Sequence, residues 1–109
     1  MSTDKKTQLD QIKQLENIKM RILNIGNSFS NELELRSNRR YSCDELNNHP
    51  LESQYTPYLL RQYPRIVIIL DLAIKLNLKE ADRLLSNLET DVKNYTKQLI
   101  TNFFIDITH

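Results

Sequence analysis

Apolar residues recur through the first third of the chain at Leu9, Ile12, Leu15, Ile18, Ile22, Ile25, Phe29 and Leu33. From Leu15 to Phe29 the steps alternate between three and four residues, which stacks these side chains on one face of an α-helix. Thr3 or Asp4 can cap its start, because each offers a side-chain oxygen to the unpaired amides of a first turn. The pattern predicts an amphipathic helix over residues 4–35. Gly26 lies inside the seam and costs about 1 kcal/mol relative to alanine in a helix interior. The helix therefore either ends near Asn24 to Gly26 or bends there and runs on. Phe29 and Leu33 keep the phase and favour continuation.

Periodicity disappears from Arg36 to Gln54, where the residues are polar and turn-prone. An irregular loop over about residues 36–54 is expected, with at most a short helical turn around Asp44 to Asn47. Thr56 before Pro57 reads as an N-cap followed by proline at the first helical position. Pro64 cannot donate to the carbonyl four residues back, so it either kinks that helix or opens a fresh one. The sequence leaves both open.

From Ile66 to Leu76 every residue except Asp71 and Lys75 is apolar. A helix apolar on nearly all sides has to be covered on nearly all sides, so a buried central helix over residues 64–76 is expected. Ile66 to Leu70 is β-branched enough to pass for a buried strand. Against that, the apolar run continues through Leu72, Ala73 and Ile74, beyond ordinary strand length, and the flanking segments offer no strand partner. Asn77 with Glu80 three residues later has the form of a capping box and opens a last helix over residues 78–105. Its seam is the best-defined repeat in the chain: Leu78, Ala81, Leu85, Leu88, Val92, Tyr95 and Leu99. Leu84 widens the stripe, as suits a globular bundle. Glu89 and Lys93 stand at i and i+4 outside the seam, in the favourable order for an ion pair.

The fold expected is all-α: a three-helix bundle with long amphipathic first and last helices and a buried, nearly all-apolar central helix, in a single domain over residues 1–109. Composition supports this. Gly26 is the only glycine, and Pro50, Pro57 and Pro64 are confined to one stretch, so long segments are free of helix breakers. A chain of 109 residues is close to the commonest domain size.

Charge narrows the function classes. Fifteen Lys and Arg against fourteen Asp and Glu leave a formal +1, whereas a dedicated nucleic-acid binder usually carries a clear basic excess. A single cysteine, Cys43, rules out an internal disulfide and suits a reducing compartment. Met1 to Gln14 is polar and shows no signal peptide, and Asp71 interrupts an apolar run already too short to cross a bilayer. An intracellular protein, cytoplasmic or nuclear, without membrane insertion is expected. The sequon at Asn94 falls inside a helical repeat and is a poor glycosylation site.

Candidate chemistry is sparse. Arg36, Arg39 and Arg40 beside Tyr41 form the most basic cluster, able to grip phosphates while Tyr41 stacks on a base. Arg39, Arg40 and Ser42 also resemble the target of a basic-directed kinase. Both readings compete with an ordinary solvated loop. Residues 72–88 resemble a helix-turn-helix, with Asn77 suited to a positive φ at the turn, but Arg83 and Ser86 stand where apolar residues are needed. His49 and His109 are isolated, no His, Cys, Asp and Glu cluster has metal-ligand spacing, and Cys43 lies in an acidic neighbourhood beside Asp44 and Glu45, unlike the electropositive setting of a reactive thiol. No enzyme and no cofactor are expected.

The reading these features support is a non-enzymatic helical interaction subunit that assembles with other protein subunits or with itself. Tyr95, Leu99, Phe103, Phe104 and Ile107 are the candidate interface, since buried aromatics tend to carry interfaces and an apolar C-terminus has to dock. The alternative is a small nucleic-acid-binding module using Arg36, Arg39 and Arg40.

Overall fold

The structure, a computed structural model, describes residues 2–108, with side chains described for residues 5–105. It is all-helical, with six helices and no strand among the described residues. These are α1 (Ser2–Ile25), α2 (Ser28–Ser37), α3 (Cys43–Asn47), α4 (Glu52–Arg61), α5 (Tyr63–Ile74) and α6 (Leu78–Thr108). The three-helix expectation is thus corrected to six. Ile66 to Leu70 is helical, so the strand reading falls.

α6 is the spine. Its 31 residues span about 46 Å at 1.5 Å per residue, most of the 65 Å length of the molecule. The seam expected on α6 is the one that is buried: Ala81, Leu85, Leu88 and Val92 are each fully inaccessible. Tyr95 and Leu99 are half-buried, and Thr96 and Ile100 carry the buried line onward. Thr96 satisfies its hydroxyl by donating to the Val92 carbonyl at 2.7 Å, since an unpaired buried hydroxyl would be costly.

The first helix does not run through to Leu35. It stops at Ile25, and Gly26 and Asn27 form a turn before α2. Glycine and asparagine are both weak helix formers, but the phase survives the break, because Ile18, Ile25, Phe29 and Leu33 are all buried. α1 and α2 run parallel to α6: Arg21 meets Asp82 and Glu89, and Arg36 meets Thr101. Leu9 and Ile12 belong to the expected seam, yet they are 56% and 55% exposed. The reason is reach, because α6 begins at Leu78 and that residue lies beside Lys13 to Ile18.

About half of the expected loop is helical. Ser42 caps α3 through a full capping box: its hydroxyl accepts from the Glu45 amide at 3.2 Å, and the Glu45 carboxylate accepts from the Ser42 amide at 3.2 Å. α4 then starts at Glu52, so Thr56 is not its cap and Pro57 lies inside it. Pro64 opens a fresh helix at the second position of α5, where its missing N–H is no loss.

Two clusters of buried residues follow one another along the spine. Ile18, Ile25, Ile69, Ala73, Ala81, Leu85, Leu88 and Val92 form the first, between α1, α5 and the start of α6. Phe29, Leu33, Leu51, Tyr55 and Ile100 form the second, with Tyr41, Leu46, Phe103 and Phe104 packed around it. An aromatic set holds the second together: Phe29 stacks on Tyr55 with centroids 5.0 Å apart, and His49 sits between Phe29 and Phe103 at 5.6 and 5.1 Å.

Candidate interaction surface

α5 is placed by a tight antiparallel hairpin with α6. Leu76 takes a left-handed conformation at φ 62°, and the Asn77 amide donates back to the Leu72 carbonyl at 2.9 Å. Together with the Leu76 amide donating to the Ala73 carbonyl at 3.0 Å, this is a Schellman C-terminus. The positive φ falls on Leu76, not on Asn77 as the helix-turn-helix likeness suggested. Glu80 pairs with Arg83 instead of reaching back to the cap. Small residues Ala73 and Ala81, both buried, let the two helices approach closely. Arg65 on α5 pairs with Asp91 on α6 at 2.9 Å and holds the open end of the hairpin. Beside it Tyr58 stacks on Tyr95 with centroids 3.6 Å apart.

This arrangement covers one side of α5 only. Ile69 and Ala73 are buried and Ile66 and Leu72 are half-buried, but the opposite side is open. Tyr63, Val67, Leu70 and Ile74 are 62%, 46%, 42% and 78% exposed. Their steps of four, three and four residues put them on one helical face. Leu60, three residues earlier at the end of α4, is 66% exposed and continues the stripe. The buried central helix of the sequence reading is therefore corrected to a half-covered one. α1 and α6 flank its inner side, and no described segment crosses its outer side.

One edge of the stripe is formed by Leu59, Ile66 and Ala73, which turn toward the core. The other carries Pro64, Ile68 and an Asp71–Lys75 ion pair of 2.9 Å. The result is a long apolar strip, with the exposed Arg61 beside Leu60 at its start. Scattered exposed apolar residues are ordinary, but a contiguous row is a mark of contact surfaces.

The candidate residues of the sequence analysis lie elsewhere. Tyr95, Leu99, Phe103 and Phe104 are half-buried and packed against the second cluster of this same chain. Tyr95 also donates its hydroxyl to the Gln54 carbonyl at 3.4 Å. The side chain of Ile107 lies outside the described residues. Arg36 donates to the Thr101 hydroxyl. Arg39 pairs with Glu45 at 2.9 Å and lies 3.9 Å over the Tyr41 ring. Arg40 is exposed, and Ser42 serves as the α3 cap. The structure thus uses most of the aromatic set and two of the arginines in contacts within the chain. The residues that the analysis of candidate sites passed over are Leu60, Tyr63, Val67, Leu70 and Ile74. Their signal was present as a second three-and-four repeat on a helix too apolar for its neighbours to cover.

The densest ion-pair network joins α1 to α6. Arg21, four-fifths buried, reaches across from α1 to Glu89 at 2.6 Å and also binds Asp82 and the Ser86 hydroxyl. The two carboxylates raise its pKa further above an already high value. Glu89 is therefore paired across helices, not with Lys93 as its spacing suggested. A groove of about 310 Å³ beside this network is lined by Asn24, Ser28, Asn31, Glu89, Lys93 and Thr96 among others. Ile25, Leu35 and Glu32 also line it, so its wall mixes apolar and polar groups. Among the described residues no group of three or more His, Cys, Asp and Glu could hold a metal ion. Nor is any helix among them long and apolar enough to cross a membrane. Comparison of the chain with protein-family models, with curated proteins and with solved structures finds no match, so what it does has to be argued from this surface.

Proposed function

We propose that this chain is a non-enzymatic interaction subunit that assembles with protein through the outer face of α4 and α5. The observation that carries the reading is the row Leu60, Tyr63, Val67, Leu70 and Ile74, exposed on helices whose opposite side packs against the core. Burying one such side chain contributes about 1.5–3 kcal/mol, so leaving five in water forgoes a sum comparable to the whole stability of a small domain. A protein partner supplies the missing cover, using a helix laid into the row with contacts at every third or fourth residue. Nucleic-acid binding through Arg36, Arg39 and Arg40 has less support. Two of these three guanidinium groups are engaged within the chain, and the net charge is nearly zero.

The test is capture from the native source with two baits, the wild-type chain and Leu70→Glu, followed by mass spectrometry. Proteins held by the wild type, this chain itself included, and lost with the variant support the reading. Identical sets on both baits remove it. A salt titration of nucleic-acid binding checks the other reading, because phosphate contacts weaken steeply as salt rises.

A further inference from the structure

The outer face of α5 is matched to its own copy. We infer that two chains pair through it, α5 against α5 and antiparallel, about a two-fold axis near Ile68 and Ile69. This rests on the proposed interaction role and names the partner.

Area is the first argument. The exposed parts of Leu60, Tyr63, Val67, Ile68, Leu70, Ile74 and Leu76 amount to on the order of 700 Å² if a large apolar residue offers roughly 150–250 Å². A standard interface buries about 800 Å² on each partner, and a stable one clears about 1,000 Å² in total. Two such faces pressed together meet that requirement without any further segment.

Pattern is the second. In an antiparallel pair, Tyr63 lies across from Ile74 of the second copy and Val67 from Leu70 of the second copy. The two-fold repeats both layers, giving four along the helix. A closed two-fold contact uses one patch on both subunits, so the patch has to be self-complementary. Here the large residue at one end faces the branched one at the other.

Charge is the third. Like charges placed across an interface are destabilising. The border of this face carries the internally neutralised Asp71–Lys75 pair and Pro64, while Arg65 is already bound to Asp91. The exposed Arg61 also borders the face, and the two-fold sets it across from Leu76 of the second copy, not against its own counterpart.

Sedimentation equilibrium of the purified full chain across a wide concentration series tests this. The wild type is expected to run as a dimer that dissociates on dilution. Leu70→Glu and Ile74→Glu are each expected to weaken it at least tenfold, with the helical circular dichroism retained. Leu23→Glu, at an equally exposed apolar position on α1, is expected to leave the dimer intact. Ile74 is 78% exposed, so its variant folds even if Leu70→Glu does not. A wild-type monomer at every concentration overturns the pairing, as does a dimer indifferent to Ile74→Glu. A monomer that still captures another protein in a Leu70-dependent way ends the self-pairing while leaving the interaction role standing. A monomer with no such capture ends both.

Discussion

Leu76 and His49 are the two residues whose local state can be read most directly as energy. Leu76 holds φ at 62°, a region that costs an L-residue about 1–2 kcal/mol because its Cβ crowds the following carbonyl oxygen. Glycine avoids that crowding but loses more chain entropy on folding. Replacing Leu76 with glycine is expected to raise stability by about 0.5–1 kcal/mol, read by chemical denaturation in the Ile74→Glu background at low protein concentration. A loss of stability there would mean the leucine side chain has contacts that outweigh the strain. His49 offers a titration instead. Its ring is wedged among Phe29, Tyr41 and Phe103, and its Nδ1 accepts from the Leu51 amide at 3.2 Å. Burial pushes its pKa below the ordinary 6.5, so the folded chain prefers the neutral ring. The unfolded chain then binds more protons below about pH 6.5, and the stability that depends on the neutral ring is lost as pH falls from there through the lower folded value. Melting temperature between about pH 7 and 5 should drop more steeply for the wild type than for His49→Phe. Parallel slopes would show that the imidazole does not couple to folding.

At the scale of helices, the α1–α6 contact pairs an apolar seam with one charged clamp. Leu88 is fully buried in the seam. Replacing it with Asp places an unpaired charge there, at a cost of several kcal/mol, and should abolish the cooperative melt. The clamp is smaller but more than an exposed pair. Arg21 is mostly buried and binds two carboxylates and a hydroxyl from α6. Glu89→Ala is expected to cost about 1–2 kcal/mol, because the charged hydrogen bonds of Arg21 lose their main acceptor. Lys93→Ala should lie within about 0.5 kcal/mol of the wild type. A double-mutant cycle on Arg21 and Glu89 measures the coupling, and a value near zero would return this pair to the class of surface ion pairs.

Across the whole molecule the two buried clusters follow one another along the spine and meet at α4, where Leu59 packs against both and Tyr58 of the first stacks on Tyr95 of the second. α1, α5 and the first half of α6, with Tyr58 and Leu59 of α4, close the first; α2, α3, Tyr55 of α4 and the end of α6 close the second. Stability in such a structure is expected to be uneven, with separate units opening at separate costs. Phe103→Ala removes the ring that packs on His49 and Phe104, a loss of about 3 kcal/mol or less for a half-buried site. Hydrogen exchange should then speed up in α3 and α4 while the amides of the α5–α6 hairpin stay protected. Uniform acceleration would mean that the two clusters unfold as one.

Much of this organisation is legible in the sequence, and the parts that are share one cause. Ala81, Leu85, Leu88 and Val92 repeat at helical spacing over many turns, so their common face is decided by backbone geometry alone, whatever covers it. The helical class, the α6 seam and the continuity of phase from Ile18 to Leu33 follow from that. Long-range choices do not. Whether Glu89 binds Lys93 one turn away or Arg21 on another helix depends on which helix lies alongside, and only the packed chain settles it. The same holds for Ser42, whose capping box with Glu45 turns part of an apparent loop into a helix. It holds for Leu76, whose strained turn follows from closing α5 onto α6. Periodicity on α5 marks an all-round apolar helix, but it cannot say how much of that surface the neighbours reach. Tertiary packing decided that: α6 and α1 lie along one side of α5, and the row from Leu60 to Ile74 faces out because no described segment lies across it.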